Sequence, residues 1–307
     1  MSILLAMQGA LSQGILWGIM ALGVYITFRL LDIPDLTVDG SFATGGAVCA
    51  VGISAGIDPF IAIIFAILAG FVTGIITGVL HTQCKIPAIL AGILTQIALY
   101  SINLRIMGRS NLPLLQADTV FKNISNMLNI PSTWVTLAVG LIVAVLIVVI
   151  LYWFFGTEIG SAVRATGNNE KMSRAQGINT NTTKILGLML SNGLIALSGA
   201  LVTQSQGYAD VKMGIGAIVI GLASIVIGEV VFGKKGGFAV RLCSIIVGSI
   251  IYRIIVAVVL QLGLSTDDLK LLTAALVAIA LTVPVILNKN RQVQMYKKLT
   301  GREIDHA

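Results

Sequence analysis

About nine stretches of this chain are apolar for long enough to cross a lipid bilayer, and that property alone leaves few folds open. The hydrocarbon layer offers no water to backbone N–H and C=O groups, so a lipid-exposed crossing segment must satisfy them internally, and a helix does this with about 20 apolar residues. The stretches run approximately Met7 to Phe28, Gly40 to Ile57, Phe60 to Leu80, Pro87 to Leu104, Thr133 to Phe155, Thr183 to Gln206, Ile215 to Phe232, Leu242 to Leu260 and Leu271 to Leu287. Charged residues make up 11% of the 307, against about 25% in soluble domains. The expected architecture is therefore all-α and polytopic, a single transmembrane domain over residues 1–307. A loop over about 156–182 and a basic tail over about 288–307 reach the cytosol.

Lysine and arginine placement sets the orientation. With the tail inside, alternation puts Arg29, Lys85, Arg164, Lys171, Arg174, Lys184, Lys234, Lys235, Arg241 and the five tail cations on the cytosolic side, 14 of the 20 in all. Arg105, Arg109, Lys122, Lys212 and Lys270 fall outside, and Arg253 lies within a span. The net charge of +7 thus follows from membrane orientation, and no nucleic-acid partner is expected. The N-terminus has neither a basic leader nor a small-residue cleavage site, so it reads as an uncleaved first span outside the cell. Cys49, Cys84 and Cys243 have no metal-ligand spacing, and no disulfide framework is expected. His81 and His306 have no plausible catalytic partner, so neither a catalytic set nor a metal site is assigned.

Two spans begin with similar glycine-rich segments, DLTVDGSFATGGAV from Asp35 and DVKMGIGAIVIGLASIVIG from Asp210. Alternation opens the first from the cytosol and the second from outside, which predicts two inverted repeats with interrupted helices, a hallmark of transport proteins. The alternative is that the glycines serve only close helix packing. Asp39, Ser41, Thr44, Gly214 and Gly216 are the candidate pathway or gate residues. Pro34 breaks any helix among Asp32, Asp35 and Asp39. These carboxylates either hold the broken segment, bind a cation or meet a substrate ammonium group, or else form a polar turn in which Asp39 caps the helix starting near Gly40. Arg253, midway along its span, is the candidate intramembrane charge, with Glu229 and Asp210 as possible partners.

The segment from Gly156 to Asn181 is polar, glycine-punctuated and net positive. Ile159 to Arg174 is compatible with a helix turning at Gly167 to Asn169. Ala162, Val163 and Met172 would fill a partner's socket, and Arg164, Glu170 and Arg174 would orient it at the rim. The bland alternative is a solvated loop obeying the positive-inside rule. Gly228 to Lys235, GEVVFGKK, approaches a phosphate-binding loop but places Lys235 where serine or threonine must hold magnesium, so nucleotide binding is rejected.

Arg164, Ala165, Gly167, Asn168, Ala175, Gly177, Ile178 and Asn179 fit the coupling-segment pattern of ABC-importer permeases of the branched-chain amino acid and ribose type, which this chain resembles. Ile218, Val219, Ile220 and Gly221 match a second family motif, though Leu222 stands where relatives commonly carry another glycine, and GKKGGF from Gly233 takes the place of a glycine-rich turn. Leu31 to Val48 looks like the variant serving lipoprotein-type binding proteins for aromatic or related amino acids. The resemblance implies a permease subunit for amino acids, aromatic ahead of branched-chain. It also implies a homodimer with two copies of a cytosolic ABC ATPase and an extracytoplasmic binding protein or lipoprotein in the plasma membrane. The chain itself would hold no cofactor, with ATP and magnesium in the ATPase. Arg164, Gly167, Glu170 and Arg174 would couple the two. An ion-coupled secondary transporter using the aspartates, and a membrane scaffold that transports nothing, are the rival classes.

Overall fold

The computed structural model describes residues 3–115, 117–232 and 236–261, with 271, 273–275, 277, 278 and 282. Its elements in order are α1 (Ile3–Tyr25), α2 (Val38–Ser54), α3 (Pro59–Thr82), α4 (Ala88–Met107), β1 (Asn111–Pro113), α5 (Val120–Leu128), α6 (Ser132–Gly156), α7 (Glu158–Asn168), α8 (Glu170–Ala175), α9 (Thr180–Gln206), β2 (Tyr208–Asp210), α10 (Ala217–Phe232) and α11 (Phe238–Gln261). A π-helical turn, Ile26–Leu30, prolongs α1. Among the described residues six helices are long and apolar enough to cross a membrane, and α2 and α10 are shorter apolar helices. These eight match eight of the expected spans; the ninth, Leu271 to Leu287, and the tail fall largely outside the described residues.

The bundle is built around α1 and α9, whose apolar side chains supply much of its buried core. The two run antiparallel, because Ser191 donates to the Gly23 carbonyl at 2.7 Å and Ser198 to that of Leu16 at 2.7 Å. With no hydrophobic difference between lipid and side chain to drive association, membrane helices join through close backbone approach and interhelical hydrogen bonds. Both occur here. A Cβ at Gly45 would strike the Ala196 backbone, and one at Gly199 would strike the Phe42 carbonyl, so α2 and α9 touch backbone to backbone.

Packing partners also fix direction. Along α2, Asp35, Phe42 and Cys49 meet Asn192, Gly199 and Gln204 in turn, so α2 runs parallel to α9. Along α10, Gly221 meets Val24 and Glu229 pairs with Arg29, so α10 follows α1. Hence α2 and α10 run in opposite directions. Their 17 and 16 residues rise about 25 and 24 Å, short of the roughly 30 Å hydrocarbon core. Irregular segments at 31–37 and 211–216 complete each passage. At one end of the bundle the Gln204 side chain joins the Pro59 carbonyl, Cys49 and the Val120 amide, and β1 pairs antiparallel with β2. At the other, Phe155 meets Phe238, and Gly167 lies on the Leu30 carbonyl. This grouping of helix ends matches the alternation read from the charges.

Candidate functional site

The two interrupted helices meet at their N-termini. Gly214 lies directly on the Asp39 carbonyl, where a Cβ would collide. Gly216 has φ +87°, a left-handed conformation that favours glycine and turns the chain into α10. The Asp39 carboxylate then accepts from the Gly216 amide at 2.9 Å and the Ile218 amide at 3.0 Å. Asp39 therefore caps α10, across the junction, and not the helix in which it resides. The first four amides of any helix lack internal partners and carry its positive dipole end, so an anion there is favourable. Of the five expected gate residues, Asp39, Gly214 and Gly216 are brought together here.

Ser41 and Thr44 face away into the α2 packing surface. Ser41 bonds Asn192 at 2.6 Å and Thr73 at 2.8 Å, and Thr44 donates to the Gly40 carbonyl at 2.9 Å. Asp35, only 1% exposed, accepts from the Thr37 amide at 2.8 Å and from Asn192 at 2.9 Å. Thr37 reaches Thr77 at 2.8 Å, and Thr77 reaches Thr95 at 3.0 Å. The network ties α2, α3, α4 and α9 together at the helix break. Each interhelical bond in a membrane contributes about 0.6–2 kcal/mol, so the cluster is a substantial clamp.

Two cavities flank the junction. One, of about 370 Å³, is bordered by Asp39, Gln96, Tyr100, Ser101 and Asn103. Asn103 is 1% exposed, and neither its amide nitrogen nor its oxygen has a hydrogen-bond partner among the described residues. The other, also about 370 Å³, is bordered by Gly216, Ile220, Tyr252, Arg253 and Val256. Ile215 borders both. The Arg253 guanidinium lies over the Trp17 ring, 4.2 Å from its centroid. Neither expected partner meets it, for Glu229 pairs with Arg29 and Asp210 accepts from Asn111 at 3.2 Å. Glu229 stands at the far end of α10, and Asp210 is held in β2 before the turn, which explains both corrections. A desolvated cation–π contact contributes about 2 kcal/mol, against a penalty of several kcal/mol for removing an ion from water, so Trp17 alone does not compensate Arg253.

The segment expected to face the cytosol forms a pair of helices, α7 and α8, hinged at Asn169, whose side chain caps α8 through the Met172 amide at 3.0 Å. The turn expected over Gly167 to Asn169 falls at Asn169, with α7 helical through Asn168. Val163 is fully buried against this chain and fills no partner's socket, because the inner face of α7 closes on the bundle. Ile159 and Met172, both more than half exposed, are the apolar groups that project. Thr166 bonds Thr183 at 2.9 Å, joining α7 to α9. Arg164 is exposed, with its guanidinium 5.0 Å from the Phe238 ring centroid. Glu170 pairs with Lys184 at 2.7 Å and Arg174 at 3.0 Å, and the hydrogen bond from Lys184 holds its carboxyl below the usual carboxylate range. Gln96, Asn103, Asn192 and Trp17 escaped the sequence reading. Its available signal was that the first three are isolated amides inside apolar spans.

A family model described as branched-chain amino acid transport system / permease component matches residues 6–283. The chain is 44% identical over 267 residues to the tyrosine transport system permease protein of Clostridioides difficile (strain R20291), covering 87% of each. It is 35% identical over 276 residues to the uncharacterized protein RP368 of Rickettsia prowazekii (strain Madrid E), covering 89% of this chain and 95% of that one. A chain of PsaBC from Streptococcus pneumoniae in complex with Fab shares the fold at TM-score 0.50 and 19% identity, over 89% of this chain and 90% of that one. The family match and the apolar spanning helices define a multi-pass transport subunit of the plasma membrane. The chain belongs to the branched-chain amino acid transport system permease family, the permease subunits of ABC importers. ATP hydrolysis in such an importer resides in a separate ATPase, and a solute-binding partner completes it.

Proposed function

We propose that this chain forms the membrane pathway of an ATP-driven importer whose solute is an aromatic amino acid ahead of a branched-chain one. Two copies enclose the pathway, two cytosolic ATPases drive it, and an external binding protein or lipoprotein delivers the solute. The aromatic preference is supported by the name of the 44% identical relative and by the resemblance of Leu31 to Val48. The observation that carries the mechanism is the contact of α7 with the end of α1, where Gly167 rests on the Leu30 carbonyl. Leu31 next packs on Gly187, and the chain runs through Asp35 into α2 and so to Asp39 at the α10 N-terminus. A displacement of α7 by an ATPase thus has a short, packed route to the junction. Arg164, Gly167, Glu170 and Arg174 serve this coupling differently: Arg164 and the exposed Met172 face a partner, Gly167 lets α7 seat on α1, and Glu170 with Arg174 braces α8. Binding-protein docking and ATP binding then shift the junction between its states. No observation favours an ion-coupled carrier, since the Asp35 and Asp39 carboxylates are already engaged by protein donors.

Reversing Arg164 and Arg174 to glutamate tests the coupling. Like charges at a docking rim cost several kcal/mol, and each 1.4 kcal/mol is tenfold in affinity. The permease should assemble normally while ATPase co-purification and ATP-driven uptake fall at least about tenfold. Because Arg174→Glu also removes the brace of α8 to Glu170 and Thr180, Arg164→Glu alone, at a position with no ion pair among the described residues, should show a loss in the same direction. Wild-type uptake in the double variant would sink the docking surface.

A further inference from the structure

We infer that Arg253 is the carboxylate-binding residue of the pathway, taking the solute's α-carboxylate in the cavity between α10 and α11. The inference rests on the amino-acid reading above and names the group that would recognise that class of solute.

Arg253 borders a cavity of about 370 Å³ whose other walls include Ile220, Tyr252 and Val256. Its Nε is buried and has no hydrogen-bond partner among the described residues. No carboxylate pairs with it among them: the ion pairs are Arg29 with Glu229, and Glu170 with Arg174 and Lys184. Asp39, across the junction, is engaged by the α10 amides. An intramembrane cation held by an indole and lacking a carboxylate partner among the described residues is half of a recognition site. The Trp17 ring lies 4.2 Å from the guanidinium carbon, a cation–π contact that leaves the buried Nε–H without an acceptor among the described residues. The planar fork of a guanidinium matches a carboxylate through two parallel hydrogen bonds. The apolar and aromatic wall beside it suits the side chain of an aromatic amino acid. The cavity also abuts Gly216, where α10 begins, so occupancy would be felt at the junction itself.

The chain contains three tryptophans, and Trp134 and Trp153 are exposed on α6. Replacing both by phenylalanine leaves Trp17 as the only indole, a reporter in contact with the guanidinium. The purified full-length chain in neutral detergent is titrated with L-tyrosine and with L-tyrosinamide, which lacks the carboxylate, exciting where tyrosine does not absorb. A saturable change with L-tyrosine, at least about tenfold weaker with the amide, is expected, because hydrogen bonds to a charged group carry that much discrimination. Arg253→Gln should abolish the response and Arg253→Lys should retain part of it. Equal responses to acid and amide in the chain with Arg253 intact overturn the assignment; acid and amide are compared on one and the same Trp134→Phe, Trp153→Phe protein, so a fold difference between samples does not enter. Silence toward L-tyrosine, from a chain whose assembled complex imports it, overturns it equally. A complex that imports no amino acid at all takes down the substrate reading together with this one.

Discussion

Replacing Asp39 by alanine abolishes uptake while the chain still inserts and folds. Its carboxylate accepts from the amides of Gly216 and Ile218 across the junction of α2 and α10. Removing it strands two part-buried amides at about 1–3 kcal/mol each and takes a negative charge from the positive end of α10. Most of the bundle is untouched, because α1, α9, α10 and α11 pack through other side chains. The loss therefore falls on the relative placement of two short helices, which is what a gate depends on. We expect uptake reduced at least about a hundredfold, equivalent to about 2.7 kcal/mol, with a normal gel-filtration profile. Asp39→Asn, which still caps well, should recover part of the activity. Uptake in Asp39→Ala within twofold of wild type would show that the junction does not govern transport.

The second large effect is on stability. Asn192→Leu removes the donor that the buried Asp35 carboxylate uses on α9 and the acceptor that Ser41 uses. Losing a hydrogen bond to a buried charged group costs about 1.5–3 kcal/mol, and Ser41 loses its acceptor at the same time. Domain stabilities are about 5–15 kcal/mol, so the variant should accumulate poorly and denature well below wild type. Removing both partners is milder than removing one, so Asp35→Leu with Asn192→Leu should regain part of that stability. Thermal denaturation of the solubilised proteins measures this. A double variant less stable than Asn192→Leu would contradict the clamp.

Much of this architecture was legible because lipid leaves so little choice. Apolar runs such as Pro59 to Thr82 become helices wherever no water can satisfy the backbone. The paired glycine segments at Asp35 and Asp210 were recognisable as helix interruptions, since Pro34 and the clustered glycines disfavour continuous helix. What hid was which groups meet. Asp39 stands one residue before Gly40 and reads locally as a cap for its own helix, yet its acceptors serve amides 177 and 179 positions away. Val163 has the right spacing to face a partner, but its side of α7 closes on this chain's own bundle. Arg253 showed itself as a charge in an apolar span, while its contact with Trp17 depends on how α1 and α11 cross, which no local pattern encodes.

The most direct test of ATP-driven import is uptake of radiolabelled L-tyrosine into proteoliposomes holding the complete importer, comparing ATP with a non-hydrolysable analogue and with an imposed ion gradient. Accumulation that requires hydrolysable ATP on the ATPase side, and persists when ion gradients are collapsed, is the predicted result. Accumulation driven by the gradient and indifferent to ATP would contradict the account.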